Sequence, residues 1–449
     1  MRRRDFLSGA VAAIAVGCTD PEAAPAPSTP TSSTQPSSSR SVPASATTQS
    51  PATTLAEAND PGIANDPFVL GVASGDPDSQ SVVLWTALDP TAVFGDVGIA
   101  CDVAEDRAFD QVVDSLVVTA AEADGYTARY IAERLEPGRT YWYRFRVGEY
   151  TSAVGRTRTL PNGPADRFGV ALSSCQDRAQ AQRWDNHLTL AADPDVDLVV
   201  WLGDFIYERN ASSLDEYRNL YTDARRDHRL QASSAAHPWM STWDDHEVVN
   251  DYDASVDPER RAGAYRAWWE FTPTRLPRPS RDGLQVYRFV DVGDLVRIVM
   301  LDCRQYQTDS TVLGLDQMAW FANTVDHDVA HTLVASPVVV SSLNVGALTP
   351  PYAFEAHPAD QEAVIASLQS APRPVVVSGD LHAQMELELA PGIPELMAPP
   401  LSSSFPPDWA DVLPFLALVS PAVSRAEAAH GYLRVDFARD GMIHRFVNG

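Results

Sequence analysis

Hydrophobic and polar residues alternate along residues 68–161 with the period of two that half-buried antiparallel strands require. In the stretch RTYWYRFRV, one face carries Tyr141, Tyr143, Phe145 and Val147. The runs SVVLWTAL and ARYIAERL and the turn EPGR continue this organisation. The pattern predicts a small, fibronectin-like β-sandwich domain over residues 61–165.

From residue 166 the pattern changes to short, continuous apolar runs, which are typical of buried strands in an α/β fold. Five of these runs end in polar clusters: RFGVALSSC, VDLVVWLGD, WMSTWDDHE, LVRIVMLD and RPVVVSGDLH. Between them, SLDEYRNLYTDAR, RRAGAYRAWWEF and PADQEAVIASLQSA are predicted to be helices. Open α/β sheets place their sites at the carboxyl ends of strands. We therefore expect residues 166–449 to form a catalytic domain in which the five clusters meet at the same edge of one sheet.

The chain begins MRRRDFLSGAVAAIAVGC, a twin-arginine pattern followed by an apolar run too short to span a bilayer. Residues 1–18 are therefore predicted to be an export signal for the twin-arginine machinery. Cys18 is a candidate site for a lipid anchor, and cleavage by an ordinary peptidase is the alternative. Residues 19–60, rich in Ala, Ser, Thr and Pro, are predicted to form a disordered tether. We expect a periplasmic, cell-surface or secreted bacterial protein.

The charge of the chain limits its partners. Its 449 residues include 34 Lys and Arg against 60 Asp and Glu, a formal net charge of -26. Because such a surface repels nucleic acids, we expect no bulk nucleic-acid binding, and any phosphate group must be captured locally by a metal or an arginine. Apart from Cys18 the chain has Cys101, Cys175 and Cys303, an odd number that leaves at least one thiol unpaired or bound to another group.

The five strand ends carry acids, imidazoles, a thiol and a phenol. In chain order they are Cys175; Asp204 and Tyr207; Asp244, Asp245, His246 and Glu247; Asp302 and Arg304; and Asp380 and His382. Each alone has an ordinary structural explanation, such as an ion pair between Asp302 and Arg304. Taken together, however, desolvated groups of these types at one edge need a cation to share. The set therefore predicts a metal site.

The motifs SSCQD, GDFIYE, WDDHEVVND, LDCRQY and SGDLHA resemble, in order and spacing, those of the alkaline phosphatase D (PhoD-like) family of metallophosphoesterases. The stretch LGVASGDPDSQSVVLWTAL is similar to the amino-terminal sandwich of that family. This resemblance implies a metallophosphoesterase-type α/β sandwich preceded by the small β-sandwich. The chain departs from the family pattern at Cys303, where threonine is usual, before Gln361, where a tryptophan is often found, and in the linker after Asp302.

The candidate ligands divide into two chemical sets. Thiolate, phenolate and imidazole donors suit a trivalent or borderline transition metal, and a tyrosinate favours ferric iron, Fe3+; this set is Cys175, Tyr207 and His382. The second set has only oxygen-bearing groups and suits a hard cation such as calcium, Ca2+; it comprises Asp204 as a bridge, Asp245, Asn250 and Asp380. The resemblance implies the same iron and calcium pair, with other divalent metals as an alternative.

Two neighbouring cations suit phosphoryl transfer, because they orient a hydroxide and neutralise the phosphate oxygens. In this interpretation Arg304 is a bidentate partner of a phosphate oxygen, and His246 protonates the leaving alkoxide. Asn250 is a candidate phosphate contact as well as a candidate ligand. The sequence thus predicts an exported hydrolase of phosphoric esters, an alkaline phosphatase or phosphodiesterase acting on phosphomonoesters, phosphodiesters or both.

Two other hypotheses stay open. A dedicated nucleotidase or a phospholipase-like diesterase would use the same centre with a different pocket. A surface-tethered binding protein would work through its β-sandwich and keep the metal site for structure. Arg304 and His246 argue against the binding protein, because a structural metal site requires neither.

Overall fold

The structure is a computed structural model that describes residues 56–58, 61–344, 352–405 and 409–448, with backbone alone at 409–412 and 419. The predicted export signal at residues 1–18, with Cys18, lies outside the described residues, as does nearly all of the predicted tether at 19–60. Within the described ranges, no helix combines the length and apolar character needed to cross a membrane.

The amino-terminal region forms a β-sandwich, which confirms the prediction from its alternating pattern. Its strands are β1 (Val72–Gly75), β2 (Val82–Ala87), β3 (Val97–Ala104), β4 (Val112–Ala120), β5 (Thr127–Ala132), β6 (Thr140–Val147), β7 (Tyr150–Thr151) and β8 (Gly155–Arg158). One layer has the order β4-β3-β6-β7, with β8 also paired to β6, and the other contains β1, β2 and β5. The core between the layers includes the predicted inward face of β6: Tyr141, Tyr143, Phe145 and Val147.

The second layer of this sandwich continues into a larger sheet. The later strands are β9 (Arg167–Ser173), β10 (Leu198–Trp201), β11 (Pro238–Ser241), β12 (Arg288–Val292), β13 (Val296–Met300), β14 (His331–Ser336), β15 (Pro374–Ser378), β16 (Gln384–Ala390), β17 (Ile393–Met397), β18 (Val423–Glu427), β19 (Gly431–Ala438) and β20 (Gly441–Asn448). Because β1 pairs in parallel with β11, one eight-stranded sheet runs β20-β19-β9-β10-β11-β1-β2-β5. This sheet includes strands from both sides of the predicted domain boundary between residues 165 and 166. The boundary itself stays a prediction.

A second sheet, with the order β12-β13-β14-β15-β17-β16-β18, packs against the first through a continuous apolar core. The alternation of side chains along β10 explains the packing. Leu198 and Val200 face the core between the sheets, whereas Val199 and Trp201 face outward to a second apolar cluster. The strands are buried on both faces, which is why they appear in the sequence as continuous apolar runs.

Helices cover the outer faces of both sheets. They are α1 (Asn186–Ala192), α2 (Leu214–Arg225), α3 (His228–Ala236), α4 (Pro258–Phe271), α5 (Gly314–Val325), α6 (Pro358–Leu368) and α7 (Trp409–Val419). The apolar residues of α1 to α4 pack against the eight-stranded sheet, and those of α5 and α6 pack against the seven-stranded sheet. The three helices predicted from the sequence correspond to α2, α4 and α6 and are confirmed.

The prediction that the five polar clusters share the edge of one sheet is wrong. Cys175, Asp204 and Asp245 follow β9, β10 and β11 of the eight-stranded sheet, but Arg304 and Asp380 follow β13 and β15 of the seven-stranded sheet. The clusters nevertheless meet, because the carboxyl ends of these strands lie at the same end of the two packed sheets. Apolar runs identify buried strands, but they do not indicate which sheet each strand joins.

Candidate metal centre

The backbone turns sharply at the ends of the strands that form the site. Left-handed φ angles occur at Cys175 (57°), Asp204 (56°), Asp380 (68°) and His382 (49°). Such angles are uncommon for residues other than glycine and persist only where the surrounding structure enforces them. The turns direct the four side chains into one buried region.

Gly203 and Glu247 hold the ends of β10 and β11 together. Gly203 has a φ of 112°, and a Cβ atom there would lie only 2.5 Å from the Cβ and the backbone nitrogen of Asp244. The buried carboxylate of Glu247 accepts hydrogen bonds from the backbone N–H groups of Asp204 (3.0 Å), Phe205 (2.7 Å) and Asp244 (3.0 Å). The sequence placed Glu247 in the polar cluster without assigning it this role.

The predicted iron ligands lie close together. The donor atoms of Cys175, Asp204 and His382 are all within 4.8 Å of one another. The Tyr207 hydroxyl lies 3.1 Å from Asp204 Oδ2 and 3.1 Å from His382 Nε2, and Cys175 Sγ lies 3.5 Å from Asp204 Oδ2. One thiol, one phenol, one imidazole and one carboxylate therefore converge on a single position.

Two serines after β17 orient this group. Ser403 donates its hydroxyl proton to the Tyr207 oxygen at 2.7 Å. The Nδ1 atom of His382 lies 2.7 Å from the carbonyl oxygen of Ser404, so Nδ1 donates and the lone pair of Nε2 faces the group. Sequence reasoning missed both serines, because LSSSF carries no pattern that distinguishes it from an ordinary loop.

A second group of acids lies around an arginine. The donor atoms of Asp244, Asp245 and Asp380 are within 4.8 Å of one another. Arg304 Nε lies 2.5 Å from Asp244 Oδ1, and its Nη2 lies 3.3 Å from Asp380 Oδ1 and 3.5 Å from Asp245 Oδ2. Tyr352 donates to Asp380 Oδ2 at 2.8 Å, and its ring centre lies 4.2 Å from the guanidinium carbon. The sequence signalled neither Tyr352 nor the pairing of Asp244 with Arg304.

Arg304 and Asn250, the two predicted substrate contacts, have different environments. Arg304 is fully buried, and its Nη1 has no hydrogen-bond partner among the described residues. Asn250 is exposed and donates to Asp251 Oδ2 at 2.7 Å, while the backbone N–H of Asp251 donates to Asp245 Oδ2 at 2.6 Å. Asn250 is thus joined to the acids through Asp251, and its predicted roles as ligand and phosphate contact stay predictions.

His246 lies between the two groups. Its Nδ1 is 2.7 Å from Glu208 Oε2, its backbone N–H donates to Asp204 Oδ1 at 3.3 Å, and its ring centre lies 4.1 Å from that of Tyr207. Its imidazole also forms a group with the carboxylates of Asp204 and Asp245 in which the donor atoms lie within 4.8 Å of one another. The site therefore places His246 where it can serve as a proton donor or as a ligand.

Several buried acids lie close together in the site, and this arrangement changes the pKa values of its ionisable side chains. Burial, with the neighbouring carboxylates, raises the pKa of Asp204 well above its usual range and that of Asp380 to about 7. Burial opposes protonation of His246, but Asp204, Glu208 and Asp245 outweigh it and raise the imidazole pKa to about 10. Burial also raises the pKa values of the Cys175 thiol and the Tyr207 phenol, and the charge of Asp204 raises them further.

These residues fit metal ions. Asp245 Oδ1 is buried and has no hydrogen-bond partner among the described residues, an arrangement that is costly unless a cation or another group satisfies the oxygen. The donor set of the first group includes soft and borderline atoms, whereas the second group contains carboxylate oxygens alone. Cys101, Cys175 and Cys303 are all buried and free, and this confirms the prediction of at least one unpaired thiol.

Comparison with known families gives two matches along the chain. Residues 168–446 match the family model described as PhoD-like phosphatase, and residues 53–161 match the one described as PhoD-like phosphatase, N-terminal domain. Alkaline phosphatase D of Bacillus subtilis (strain 168) is 33% identical over 378 residues, which cover 70% of this chain and 64% of that protein. The chain thus spans about 64% of the length of this curated relative.

Solved structures share the fold. A structure of PhoD superposes with a TM-score of 0.79 and 29% identity, covering 84% of this chain and 86% of the other. Purple acid phosphatase PPD1 from seeds of yellow lupin (Lupinus luteus) superposes with a TM-score of 0.61 and 13% identity, covering 86% and 73%, and shows similarity of fold alone. These matches confirm the predicted fold class, an α/β sandwich preceded by a small β-sandwich.

Proposed function

The chain belongs to the PhoD-like phosphatase family, and on that premise we propose that it is an exported, metal-dependent phosphoesterase acting on phosphomonoesters, phosphodiesters or both. Membership confirms the resemblance carried by the motifs, and the description of the family as PhoD-like phosphatase supports the predicted class, hydrolases of phosphoric esters. Export to the periplasm, the cell surface or the medium rests on the twin-arginine pattern in residues 1–18, with Cys18 as the candidate lipid anchor.

One observation carries the proposal: two largely buried groups of donor atoms adjoin each other, and the members of each lie within 4.8 Å of one another. They are Cys175, Asp204 and His382, and Asp244, Asp245 and Asp380. A third group contains both Asp204 and Asp245 and so joins the first two. Adjoining clusters of this kind support a two-metal site better than a single structural ion.

We assign the ions from the chemistry of the donors. Cys175, Tyr207 and His382 would hold ferric iron, with Asp204 as the bridge. The oxygen-only position would hold calcium through Asp245 and Asp380, with Asn250 as a further candidate and other divalent metals as the alternative. When bound, the two cations supply charge neutralisation and Lewis acidity at the phosphate group.

The protein's own groups bind the ester and move the proton. Arg304 Nε and Nη2 are committed to acids, so Nη1 is the guanidinium nitrogen left for a phosphate oxygen. Glu208 holds His246 through Nδ1, which leaves Nε2 to protonate the departing alcohol oxygen. Tyr352 packs on the guanidinium and bonds to Asp380, so it fixes the positions of both side chains.

The test is a panel of aryl, alkyl, nucleotide and polymeric phosphate esters, assayed with the full chain after its metal content has been measured. We expect hydrolysis, loss of activity on treatment with a calcium chelator, and recovery on addition of calcium. Asp245→Asn should abolish turnover, whereas the matched variant of a half-buried acid in the following loop, Asp253→Asn, should retain it. The chelator should leave iron bound, because the thiolate-containing position holds its ion more tightly.

The outcomes separate the alternatives. Turnover restricted to nucleotides, or to lipid diesters, would favour a dedicated nucleotidase or a phospholipase-like enzyme. Stoichiometric metal without turnover of any ester would contradict the proposal and favour a surface-tethered binding protein with a structural metal site. Loss of iron and calcium together would contradict two chemically distinct positions.

A further inference from the structure

A cleft of about 230 Å³ lies next to Tyr207, between the loop that follows β10 and the face of α2. Phe205 and Ile206, both nearly inaccessible to solvent, form its floor, and Leu220 and Ala224 of α2 line one wall. Ligand sites in proteins are typically concave, mostly apolar and largely preformed. The size and lining of this cleft suit one ring-sized apolar group.

The walls of the cleft are held in place by contacts outside it. The Tyr217 hydroxyl on α2 donates to the carbonyl oxygen of Val248 at 2.5 Å, which ties the helix to the loop after β11. The ring of Tyr221 stacks on that of Phe205, with centroids 5.9 Å apart. Because both sides are anchored, a ligand would enter a formed cleft and would not have to order it.

The rim of the cleft is electrically balanced. Arg209 pairs with Asp177, and Arg178 Nε lies 3.1 Å from Asp223 Oδ2. Two cations and two acids thus neutralise each other within a chain whose net charge is -26. A neutral rim above an apolar floor favours an uncharged occupant over a second anionic group.

Tyr207 belongs both to the lining of the cleft and to the candidate metal centre. Its hydroxyl lies 3.1 Å from Asp204 Oδ2, its ring centre lies 4.1 Å from that of His246, and the same side chain lines the cleft. An ester whose leaving oxygen is protonated by His246 can therefore extend its organic group past Tyr207. We propose that this cleft binds the alcohol part of the substrate and selects phosphate esters of alcohols that carry an apolar, ring-sized group, an inference that rests on the function proposed above.

The experiment compares two esters whose leaving alcohols have similar basicity, ethyl phosphate and 2-phenylethyl phosphate. For the metal-loaded full chain, kcat/KM should be about tenfold to a hundredfold higher for the phenylethyl ester, the factor that corresponds to burial of a phenyl group. A ratio near one would overturn the proposal.

Substitutions at the cleft test where the preference arises. Ala179 is exposed and lines the cleft, so Ala179→Trp should fill it. The ratio of kcat/KM for the phenylethyl ester to that for the ethyl ester should then fall close to one. The kcat/KM for ethyl phosphate itself should stay within about twofold of the wild-type value. Ala319→Trp, at an exposed position on α5, is the matched control and should keep the wild-type ratio. Leu220→Ala should lower the ratio about threefold to tenfold by removing apolar wall without blocking the cleft. A wild-type ratio in both cleft variants would overturn the assignment.

Binding measurements separate this inference from the proposed function. Ethylphosphonate and 2-phenylethylphosphonate cannot be hydrolysed, so calorimetry reports their affinities whether or not the protein turns over esters. Tighter binding of the phenylethyl compound, lost in Ala179→Trp, would support the cleft even if no ester were cleaved, and in that case the proposed function alone would fail. Equal affinities for the two phosphonates, together with active hydrolysis, would reject the cleft and keep the phosphoesterase.

Discussion

Nδ1 of His246 lies 2.7 Å from Oε2 of Glu208, so a carboxylate from the loop after β10 orients an imidazole from the loop after β11. The imidazole also packs against the ring of Tyr207, with ring centres 4.1 Å apart and an angle of 34° between the ring planes. These two contacts restrain rotation of the ring and leave Nε2 for a second partner. That arrangement suits a general acid better than it suits a residue that only fills space.

Replacing His246 should slow poor leaving groups more than good ones. A basic alkoxide needs its proton early in bond cleavage, whereas nitrophenolate leaves with little help, and general acid catalysis typically contributes about a hundredfold to ten-thousandfold. His246→Ala should therefore reduce kcat/KM far more for alkyl phosphates than for nitrophenyl phosphate, measured over a leaving-group series at fixed metal content.

Glu208→Gln is the matching variant, because glutamine keeps the shape of the side chain and removes its charge. Glu208→Gln should also reduce kcat/KM more for alkyl phosphates than for nitrophenyl phosphate, but by a smaller factor than His246→Ala. An equal loss for every ester in the His246 variant would assign His246 to metal or substrate binding.

Tyr207→Phe should remove the colour of the iron-loaded protein. Coordination of ferric iron by a tyrosinate predicts a visible charge-transfer band, and phenylalanine cannot supply the oxygen. Tyr352→Phe is the control, since Tyr352 bonds to Asp380 and lies outside the thiol-containing group. Absorption spectra of both variants at equal iron content make the comparison, and an unchanged band in Tyr207→Phe would exclude Tyr207 as a ligand.

Gly203→Ala should destabilise the fold by about 2 to 5 kcal/mol. The left-handed backbone disfavours any side chain at this position, and the new Cβ would also collide with Asp244. Gly392→Ala isolates the backbone effect, because Gly392 has a φ of 78° and no atom lies within 4 Å of an added Cβ. This variant should lower the free energy of unfolding by about 1 kcal/mol. Chemical denaturation curves give both values, and similar losses would show that contact with Asp244 contributes nothing.

Stability should fall in acid partly through His187. Burial lowers the pKa of its imidazole to about 3, and the ring is bonded to Gln176 and Ser233. The unfolded chain takes up this proton below about pH 6.5. Between about pH 6.5 and 3 the unfolded state thus binds more protons, and stability declines as the pH falls by up to about 1.4 kcal/mol per pH unit.

His187→Gln should flatten this part of the stability profile, whereas His228→Gln, at an exposed position, should leave the slope as in the wild type. Denaturation at a series of pH values measures the slopes. A wild-type slope in the His187 variant would mean that other groups cause the loss in acid.

The sequence alone was sufficient to predict many of the local elements and to mark the polar side chains at their ends. Alternation marks the buried face of β6, and continuous apolar runs mark β9, β10, β11, β13 and β15, because burial on one or both faces restricts which side chains a strand can carry. Cys175, Asp204, Tyr207 and His382 could be identified as candidate site residues because each follows such a strand.

The tertiary structure alone decided which residues support them. Arg304 reaches Asp244 because two different sheets pack face to face, and periodicity contains no information about the partner of a strand. The sequence likewise does not reveal the partner of the single side chain Ser403. It lies in a loop without any distinctive pattern, and its hydroxyl donates to Tyr207, 196 residues earlier, only because chain folding brings these two loops together.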